Sequence, residues 1–352
     1  MHKLVELPIH DVAFGGKGVG RGGGKVVFVP FTIDGERVSA RIIREKKQLA
    51  EAELHEVIDA SEHRTTPECP YFGRCGGCTY QHISYEHQLT IKANQVEQTL
   101  RRIARLDHVP MRAIVPSPAA YGYRNRVTVH AEQGIVGYYR RESHRLIDVQ
   151  HCPIATPEVN AALDELRARN PRDGHYSLRA HGGPRVFAQT NDAVADAMAA
   201  LVETLLPDGS ELLIDAYCGA GFFTKRLAPK FRRVVGIEWD RHAVAAAQET
   251  AAPNETYVAG DVNEELQSQL SDCVPATTCV LLDPPAEGLG VNTRRTLLNW
   301  RPHTLVYVSC NPAALARDLG ELAARYKIDS VTPLDMFPQT AEIEAVVALS
   351  PI

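Results

Sequence analysis

The stretch Leu212-Leu-Ile-Asp215-Ala-Tyr217-Cys-Gly219-Ala-Gly221-Phe222 decides the fold class of this chain. An apolar run that ends in an acid and is followed by two glycines is typical of a buried strand that leads into a tight turn. The dinucleotide-binding pattern G-x-G-x-x-G would require a third glycine, and Thr224 stands in its place. A lone G-x-G is a weak signal, so the fold depends on what surrounds it.

Further apolar, β-branched runs follow at regular spacing, separated by helical patterns. This alternation predicts an α/β domain with a doubly wound, mostly parallel sheet. The predicted strands cover residues 212–215, 234–238, 257–261, 280–283, 305–309 and 345–349.

Acidic residues at the strand ends favour one cofactor. Gly219 and Gly221 leave room for the amino-acid portion of S-adenosylmethionine, Glu238 is placed to hold both ribose hydroxyls, and Asp261 is placed for the adenine amino group. A strand ending in Asp, then G-x-G, then Glu at the next strand end is a much stronger signal than the glycines alone.

The run Leu305-Val-Tyr-Val-Ser-Cys310-Asn311-Pro312 ends a predicted strand at a cysteine, before a helix predicted over 313–326. Proline lacks the donor needed to continue the strand. The carboxyl edge of an open α/β sheet is where ligands bind, which favours a reactive thiol. A small, inert residue at the end of a strand is the alternative.

Residues 1–60 combine short β-rich runs with glycine corners, which predicts a small barrel. The run resembles the TRAM domain, an OB-like RNA-binding barrel, in Gly18-Val-Gly20, Val27-Phe-Val-Pro30 and Gly35-Glu-Arg-Val38. A β-domain without a ligand is the alternative. Basic residues that would contact phosphates are Arg21, Lys25, Arg41 and Lys46.

Cys69, Cys75 and Cys78 form a Cys-x5-Cys-Gly-Gly-Cys knuckle, and Cys152 is the best candidate for a fourth ligand. Four thiolates suit zinc or a [4Fe–4S] cluster. His82 or His87 are alternative ligands, and three grouped cysteines with one distant partner favour the cluster.

An amphipathic helix is predicted over 85–106, followed by a hairpin from residue 121 to 139. Residues 101–145 contain nine arginines and three acids, although the whole chain has a net charge of −5. Aromatic residues among these arginines would stack bases and bind phosphates. An ordinary sheet with an arginine-rich face explains the pattern nearly as well.

No apolar run approaches the roughly 20 residues of a membrane helix, and the N-terminus lacks the apolar core of a signal peptide. We therefore expect a cytoplasmic protein without membrane contact, and a monomer. Eight cysteines in such a chain indicate metal binding or catalysis rather than disulfides.

The combined motifs resemble the RNA uridine-5-methyltransferases that act on 23S rRNA and tRNA. The resemblance spans nearly the whole chain and includes the cysteine knuckle and the Gly-x-Gly loop. Its other motifs are Phe187-Ala-Gln189-Thr-Asn191, Asp283-Pro-Pro285, Ser309-Cys310-Asn-Pro312 and Asp335-Met-Phe-Pro-Gln-Thr340 through Glu344.

The resemblance implies three domains: a TRAM barrel at 1–60, a small α+β iron–sulfur domain with RNA contacts at 61–185, and a class I S-adenosylmethionine-dependent methyltransferase domain at 186–352. It implies a [4Fe–4S] cluster held by the four cysteines. The implied cofactor-binding residues are Gln189, Tyr217, Gly219, Gly221, Phe222, Glu238, Asp261 and Asp283.

The resemblance also implies a mechanism. The Cys310 thiolate adds to C6 of a uracil that has been flipped out of its stack, which makes C5 nucleophilic, and Glu344 removes the C5 proton after methyl transfer. The expected substrate is a uridine in RNA, most readily 23S rRNA. The alternatives are tRNA uridine-54 and an RNA-binding member with weakened catalysis.

Two positions depart from the family pattern. Ala286 replaces the arginine that usually follows Asp-Pro-Pro, and Glu342 replaces a histidine two residues before the base. We expect Glu342 and Glu344 to lie on one face of an extended segment.

Overall fold

The computed structural model of the chain describes residues 3–180 and 189–352. Phe187, quoted above, and the predicted domain boundary at 185/186 lie outside the described residues. The described chain divides into two compact units. The first contains residues 3–95, 117–180 and 337–342, and the second contains residues 96–116, 189–336 and 343–352.

The first unit begins with a five-stranded closed barrel, which confirms the predicted N-terminal barrel. Its strands are β1 (Leu4–Val12), β2 (Lys17–Gly22), β3 (Lys25–Pro30), β4 (Arg37–Glu45) and β5 (Leu49–Asp59). The barrel closes because β1 pairs with both β2 and β4 while β3 runs parallel to β5. A side chain on Gly20 would lie 2.4 Å from Leu7, so only glycine permits this close strand approach.

The rest of the first unit contains a second, four-stranded antiparallel sheet in the order β8-β7-β6-β9. The cysteine knuckle precedes the long helix α1. The elements are α1 (Tyr85–Ile103), whose residues from 96 on belong to the second unit, and then β6 (Arg126–Glu132), β7 (Ile135–Tyr139), β8 (Leu146–Asp148), α2 (Pro157–Ala168) and β9 (Gly174–Arg179). The predicted hairpin is confirmed, although its first strand begins at Arg126 rather than residue 121.

The second unit has the predicted α/β alternation. Its elements are α3 (Asp192–Leu205), β10 (Leu212–Ala216), α4 (Phe222–Leu227), β11 (Arg233–Glu238), α5 (Arg241–Gln248), β12 (Glu255–Ala259), α6 (Val262–Leu270), β13 (Thr278–Leu282), α7 (Val291–Trp300), β14 (Thr304–Ser309), α8 (Pro312–Leu322), β15 (Tyr326–Leu334) and β16 (Glu344–Pro351). Short 3₁₀ helices lie at Ala228–Lys230 and Pro275–Thr277.

One seven-stranded sheet organises this unit, in the order β12-β11-β10-β13-β14-β16-β15. The five strands from β12 to β14 are parallel, and β16 is antiparallel to both of its neighbours. Every residue of β10 and β13 is buried, as expected for strands covered on both faces. The carboxyl ends of the parallel strands therefore share one edge.

The predicted helix over 313–326 is too long. α8 ends at Leu322, and Tyr326 begins β15. Tyr326 is buried, and its hydroxyl donates to the Leu297 carbonyl at 2.8 Å. Ala323 and Ala324 suit a helix as well as a turn, so the sequence does not mark this boundary.

No helix in the described part of the chain is long and apolar enough to cross a membrane.

Candidate active site

Cys310 lies between the end of β14 and the start of α8. Asn311 begins the helix, because its Oδ1 accepts from the Ala313 and Ala314 amides at 3.0 and 3.3 Å. Its Nδ2 donates to the Ala286 carbonyl at 2.9 Å. The cysteine loop is thus tied to the Asp-Pro-Pro-Ala loop through a main-chain oxygen, a contact that needs no side chain at position 286.

Glu344 is the first residue of β16, the strand that pairs with β14. β14 and β16 pair antiparallel, and their last registered pair is Ser309 with Ala345. Cys310 follows Ser309 and Glu344 precedes Ala345, so the two residues stand at the positions that would come next in this register. Glu344 is buried, while Cys310 is partly exposed.

Glu342 has a different environment from Glu344. It is exposed and precedes β16, which begins only at Glu344. The two carboxylates therefore differ in solvent exposure, and their common face on an extended segment stays a prediction.

The glycine turn is braced by Glu238. Its Oε2 accepts from the Gly219 amide at 3.0 Å, and its Oε1 accepts from the Asp240 amide at 2.8 Å. Tyr217, Gly219 and Gly221 all have positive φ, at 69°, 54° and 85°. A Cβ at Gly219 would meet no described atom within 4 Å, so the turn borders open space. Such space suits the amino-acid portion of S-adenosylmethionine.

Asp215 and Asp283 follow each other along the same edge, at the ends of β10 and β13. Thr224 donates to Asp215 at 2.5 Å. Burial raises the pKa of Asp215 to about 7, against the effect of this hydrogen bond. Burial, and then the neighbouring Asp215, raise the pKa of Asp283 to about 7. This pair therefore holds protons near neutral pH, when ordinary aspartates are ionised.

The other predicted cofactor residues are spread along this unit. Phe222 opens α4, next to the glycine turn. Asp261 was predicted to end a strand, but β12 ends at Ala259. Asp261 instead caps α6 by accepting from the Asn263 amide at 2.8 Å. Gln189 lies two residues before Asn191, the N-cap of α3.

Comparison with known proteins identifies the family. The family model described as tRNA (Uracil-5-)-methyltransferase matches residues 172–260 and 267–352, and the TRAM domain model matches residues 3–55. An uncharacterized RNA methyltransferase of Synechocystis is 30% identical, with 99% of this chain and 96% of the relative covered. The tRNA (uracil(54)-C(5))-methyltransferase of Schizosaccharomyces pombe is 30% identical, with 99% and 78% covered.

The chain belongs to the tRNA (uracil-5-)-methyltransferase family. It is thus an RNA (uracil-5-)-methyltransferase dependent on S-adenosylmethionine. Its fold is also that of the Pyrococcus abyssi tRNA (uracil-54, C5)-methyltransferase in complex with S-adenosyl-L-homocysteine. The TM-score is 0.74 at 23% identity, with 98% of this chain and all of that chain covered.

Four cysteines of the methyltransferase lie close together in its first unit. Cys152 interacts electrostatically with Cys69, Cys75 and Cys78. Burial, and then the other thiols, raise the pKa of Cys78 to about 12 despite a hydrogen bond with Gln81. Four thiols in partly buried positions suit a thiophilic centre. However, among the described residues no group of three or more His, Cys, Asp or Glu side chains is arranged so that it could hold a metal ion.

Of the two histidines considered as alternative ligands, His87 has a polar partner, whereas both ring nitrogens of His82 are buried without a hydrogen-bond partner among the described residues. His87 is 2.8 Å from Asp34 and stacks on His63 at 3.9 Å. His82 is buried near the rings of Phe31 and Phe72, and burial lowers its pKa to about 3.

Asp318 fixes the loop after Asp283 and was not among the residues predicted from the sequence. This buried carboxylate accepts from the Leu289 amide and the Tyr307 hydroxyl, each at 2.8 Å, and pairs with Arg294. A Cβ at Gly288 would lie 2.5 Å from Asp318, so the loop packs closely on the acid. The sequence does contain a signal for this residue, because Asp318 occupies a position of α8 where the helical pattern calls for an apolar residue.

Trp239 was also missed. It directly follows Glu238, and its side chain is 76% exposed. A large aromatic residue beside the acid at a strand end was the available signal.

Proposed function

We propose that this methyltransferase transfers a methyl group to C5 of a uridine in RNA through a covalent adduct between Cys310 and C6. The positions of Cys310 and Glu344, next in the register of β14 with β16, carry this proposal, because the reaction needs a nucleophile and a base at one pyrimidine ring. Asn311 and the register of β14 with β16 fix both residues on rigid elements.

The steps follow from the two residues. The Cys310 thiolate forms a bond to C6, and the electrons of the C5–C6 double bond move into the uracil enolate. Bound S-adenosylmethionine would supply the methyl group that C5 takes up, and S-adenosylhomocysteine would be left behind. Glu344 then accepts the C5 proton, the double bond re-forms, and the Cys310 thiolate leaves. The N-terminus of α8 lies beside Cys310 and favours negative charge there.

The residues around the glycine turn fit the cofactor. Open space borders Gly219, Glu238 would hold the ribose, and the exposed ring of Trp239 would pack on the adenine. Tyr217, Gly221, Phe222 and Asp261 lie on or next to the same sheet edge. Asp283, whose pKa is raised to about 7 by burial and by Asp215, would in its protonated form donate a hydrogen bond to a polar edge of uracil or cofactor. Gln189 is proposed to share this role.

We also propose that Cys69, Cys75, Cys78 and Cys152 hold a [4Fe–4S] cluster. Its contribution would be to close the loops of the first unit, since metal binding supplies folding energy to such small regions. We likewise propose the domain limits 1–60 for the TRAM barrel, 61–185 for the iron–sulfur domain and 186–352 for the methyltransferase domain.

The substrate RNA is proposed from the relatives. The S. pombe relative named for tRNA uracil-54 favours tRNA, while 23S rRNA was the expectation from sequence. We propose that the protein acts on either RNA as a monomer in the cytoplasm.

Tritium release tests the proposal. Unmodified tRNA and 23S rRNA transcripts labelled at uridine C5 are incubated with the protein and S-adenosylmethionine. Release from one transcript, with 5-methyluridine in the product, is expected. RNA binding without release from either transcript would instead indicate the catalytically weakened member.

A further inference from the structure

The four-stranded sheet of the first unit has one covered face and one open face. Val127, Val129 and Leu178 point inward and pack with Val159 and Leu163 of α2. Because successive strand residues alternate between faces, the intervening residues of β6 and β9 form the opposite face.

This opposite face, here called the ring face, has a ledge of three rings. His130 and His175 are directly paired across β6 and β9, and their Nδ1 atoms lie 2.8 Å apart. The Tyr139 ring lies 4.1 Å from the His130 ring. Both Tyr139 and His175 are exposed, so the rings present their surfaces outward.

The other end of the ring face is cationic. Arg126 and Arg179 are also directly paired across β6 and β9, with the small polar pair Thr128 and Ser177 between them and the rings. Burial, and then the charges of Arg179 and Arg124, lower the pKa of Arg126, which shows that three guanidinium groups lie near one another. Rings at one end and clustered cations at the other complement bases and phosphates.

The backbone around Tyr139 is bound to the cysteine knuckle. The Tyr139 carbonyl accepts from the Gly76 amide at 3.2 Å, and Cys75 forms a bridge with Arg140. Its neighbour Tyr138 faces the other way, toward Cys152. The cysteine knuckle thus fixes the strand that presents Tyr139, and a fixed ring loses little freedom on binding.

We propose that the ring face binds unpaired nucleotides of the substrate RNA, with bases stacked on Tyr139 and His175 and the backbone at Arg126 and Arg179. A four-stranded sheet with helix on one face and aromatic side chains on the other is a known way to stack two or three bases. The inference rests on the proposed RNA substrate and assigns it a contact outside both the barrel and the methyl-transfer site.

Binding is measured by fluorescence anisotropy with a labelled oligouridylate and with an unmodified tRNA transcript, without methyl donor. Tyr139→Ala combined with His175→Ala should weaken binding roughly fivefold or more, while Tyr139→Phe should retain affinity. His303→Ala is the matched control, because this exposed histidine precedes β14 at the sheet edge opposite Cys310. In methylation assays the double variant should raise KM and leave kcat unchanged.

Unchanged affinity of the double variant for both RNAs would overturn the proposal. The proposal would also be overturned if the double variant lost affinity for heparin, a polyanion without bases, as much as for RNA. A fall in kcat with unchanged KM would overturn it as well. Thermal melting shows whether the variant is folded. If the parent protein binds RNA but transfers no methyl group, the proposed function fails while the ring face is still tested by binding.

Discussion

Cys310 and Glu344 stand at the positions that would come next after the Ser309–Ala345 pair that ends the β14–β16 ladder. Residues at facing positions of an antiparallel pair have neighbouring side chains. The antiparallel direction of β16 therefore brings together two residues that are 34 positions apart in sequence. The nucleophile and the base of the proposed reaction come from this one strand pairing.

Glu342 should not substitute for Glu344. It is exposed and outside β16, whereas Glu344 is buried at the end of the ladder. We expect Glu342→Gln to keep turnover within a few-fold and Glu344→Gln to lose it, as measured by tritium release. Turnover by Glu344→Gln together with loss in Glu342→Gln would reassign the base.

Glu238→Ala should weaken binding of S-adenosylmethionine. The substitution removes the proposed ribose acceptor and also the acceptor of the Gly219 and Asp240 amides. Losing charge-assisted hydrogen bonds costs on the order of 1.5–3 kcal/mol, or roughly tenfold to a hundredfold in affinity. Calorimetry measures the change, with exposed Glu249→Ala as control; equal affinities for both variants would refute this placement.

Protein purified without oxygen should be brown and contain iron and sulfide. Cys75→Ser should lower the melting temperature, because one ligand of the proposed cluster is lost. Cys273→Ser, a change to a partly buried cysteine after α6, should alter it little. Stoichiometric zinc without iron or sulfide would contradict the cluster.

The Asp215–Asp283 pair should make stability depend on pH. The pKa of each carboxyl is about 7 in the folded protein and near 3.8 when unfolded, so the folded state binds more protons between these values. Stability is therefore fully present below pH 3.8 and falls as pH rises toward 7. A difference of one pKa unit corresponds to about 1.4 kcal/mol, so the free energy of unfolding should fall by an amount on the order of a few kcal/mol.

Asp283→Asn should flatten this dependence. Urea unfolding of both proteins at pH 5, 6, 7 and 8 gives the free energies of unfolding, and comparing the two removes contributions from other groups. The free energy of unfolding of the variant should increase relative to that of the parent protein as pH rises. Parallel curves would show that the pair does not retain protons.

The sequence predicted the elements whose signals are local. Strand β10 is a short apolar run followed by glycines, and β14 ends at Cys310 before Asn311-Pro312, so both could be placed without knowing their neighbours. Likewise the barrel followed from glycine corners. The predicted importance of Glu238 also came from its place at a strand end.

Features set by non-local packing could not be predicted. The relative position of Cys310 and Glu344 depends on which strand pairs with β14 and in which direction. The end of α8 is determined by burial of Tyr326, and the polar contacts of Asp318 join three separate segments. The two bonds of Glu238 to backbone amides depend on how the glycine turn folds back onto β11.

The most direct test of the account is whether Glu344→Gln accumulates a covalent protein–RNA complex. With S-adenosylmethionine and substrate RNA, this variant should add Cys310 to C6 and methylate C5 but fail to release the product. We predict a methylated complex that survives denaturing electrophoresis, and none with Cys310→Ala. A complex formed by Cys310→Ala, or free 5-methyluridine RNA released at the parent rate by Glu344→Gln, would contradict the assignment of nucleophile and base.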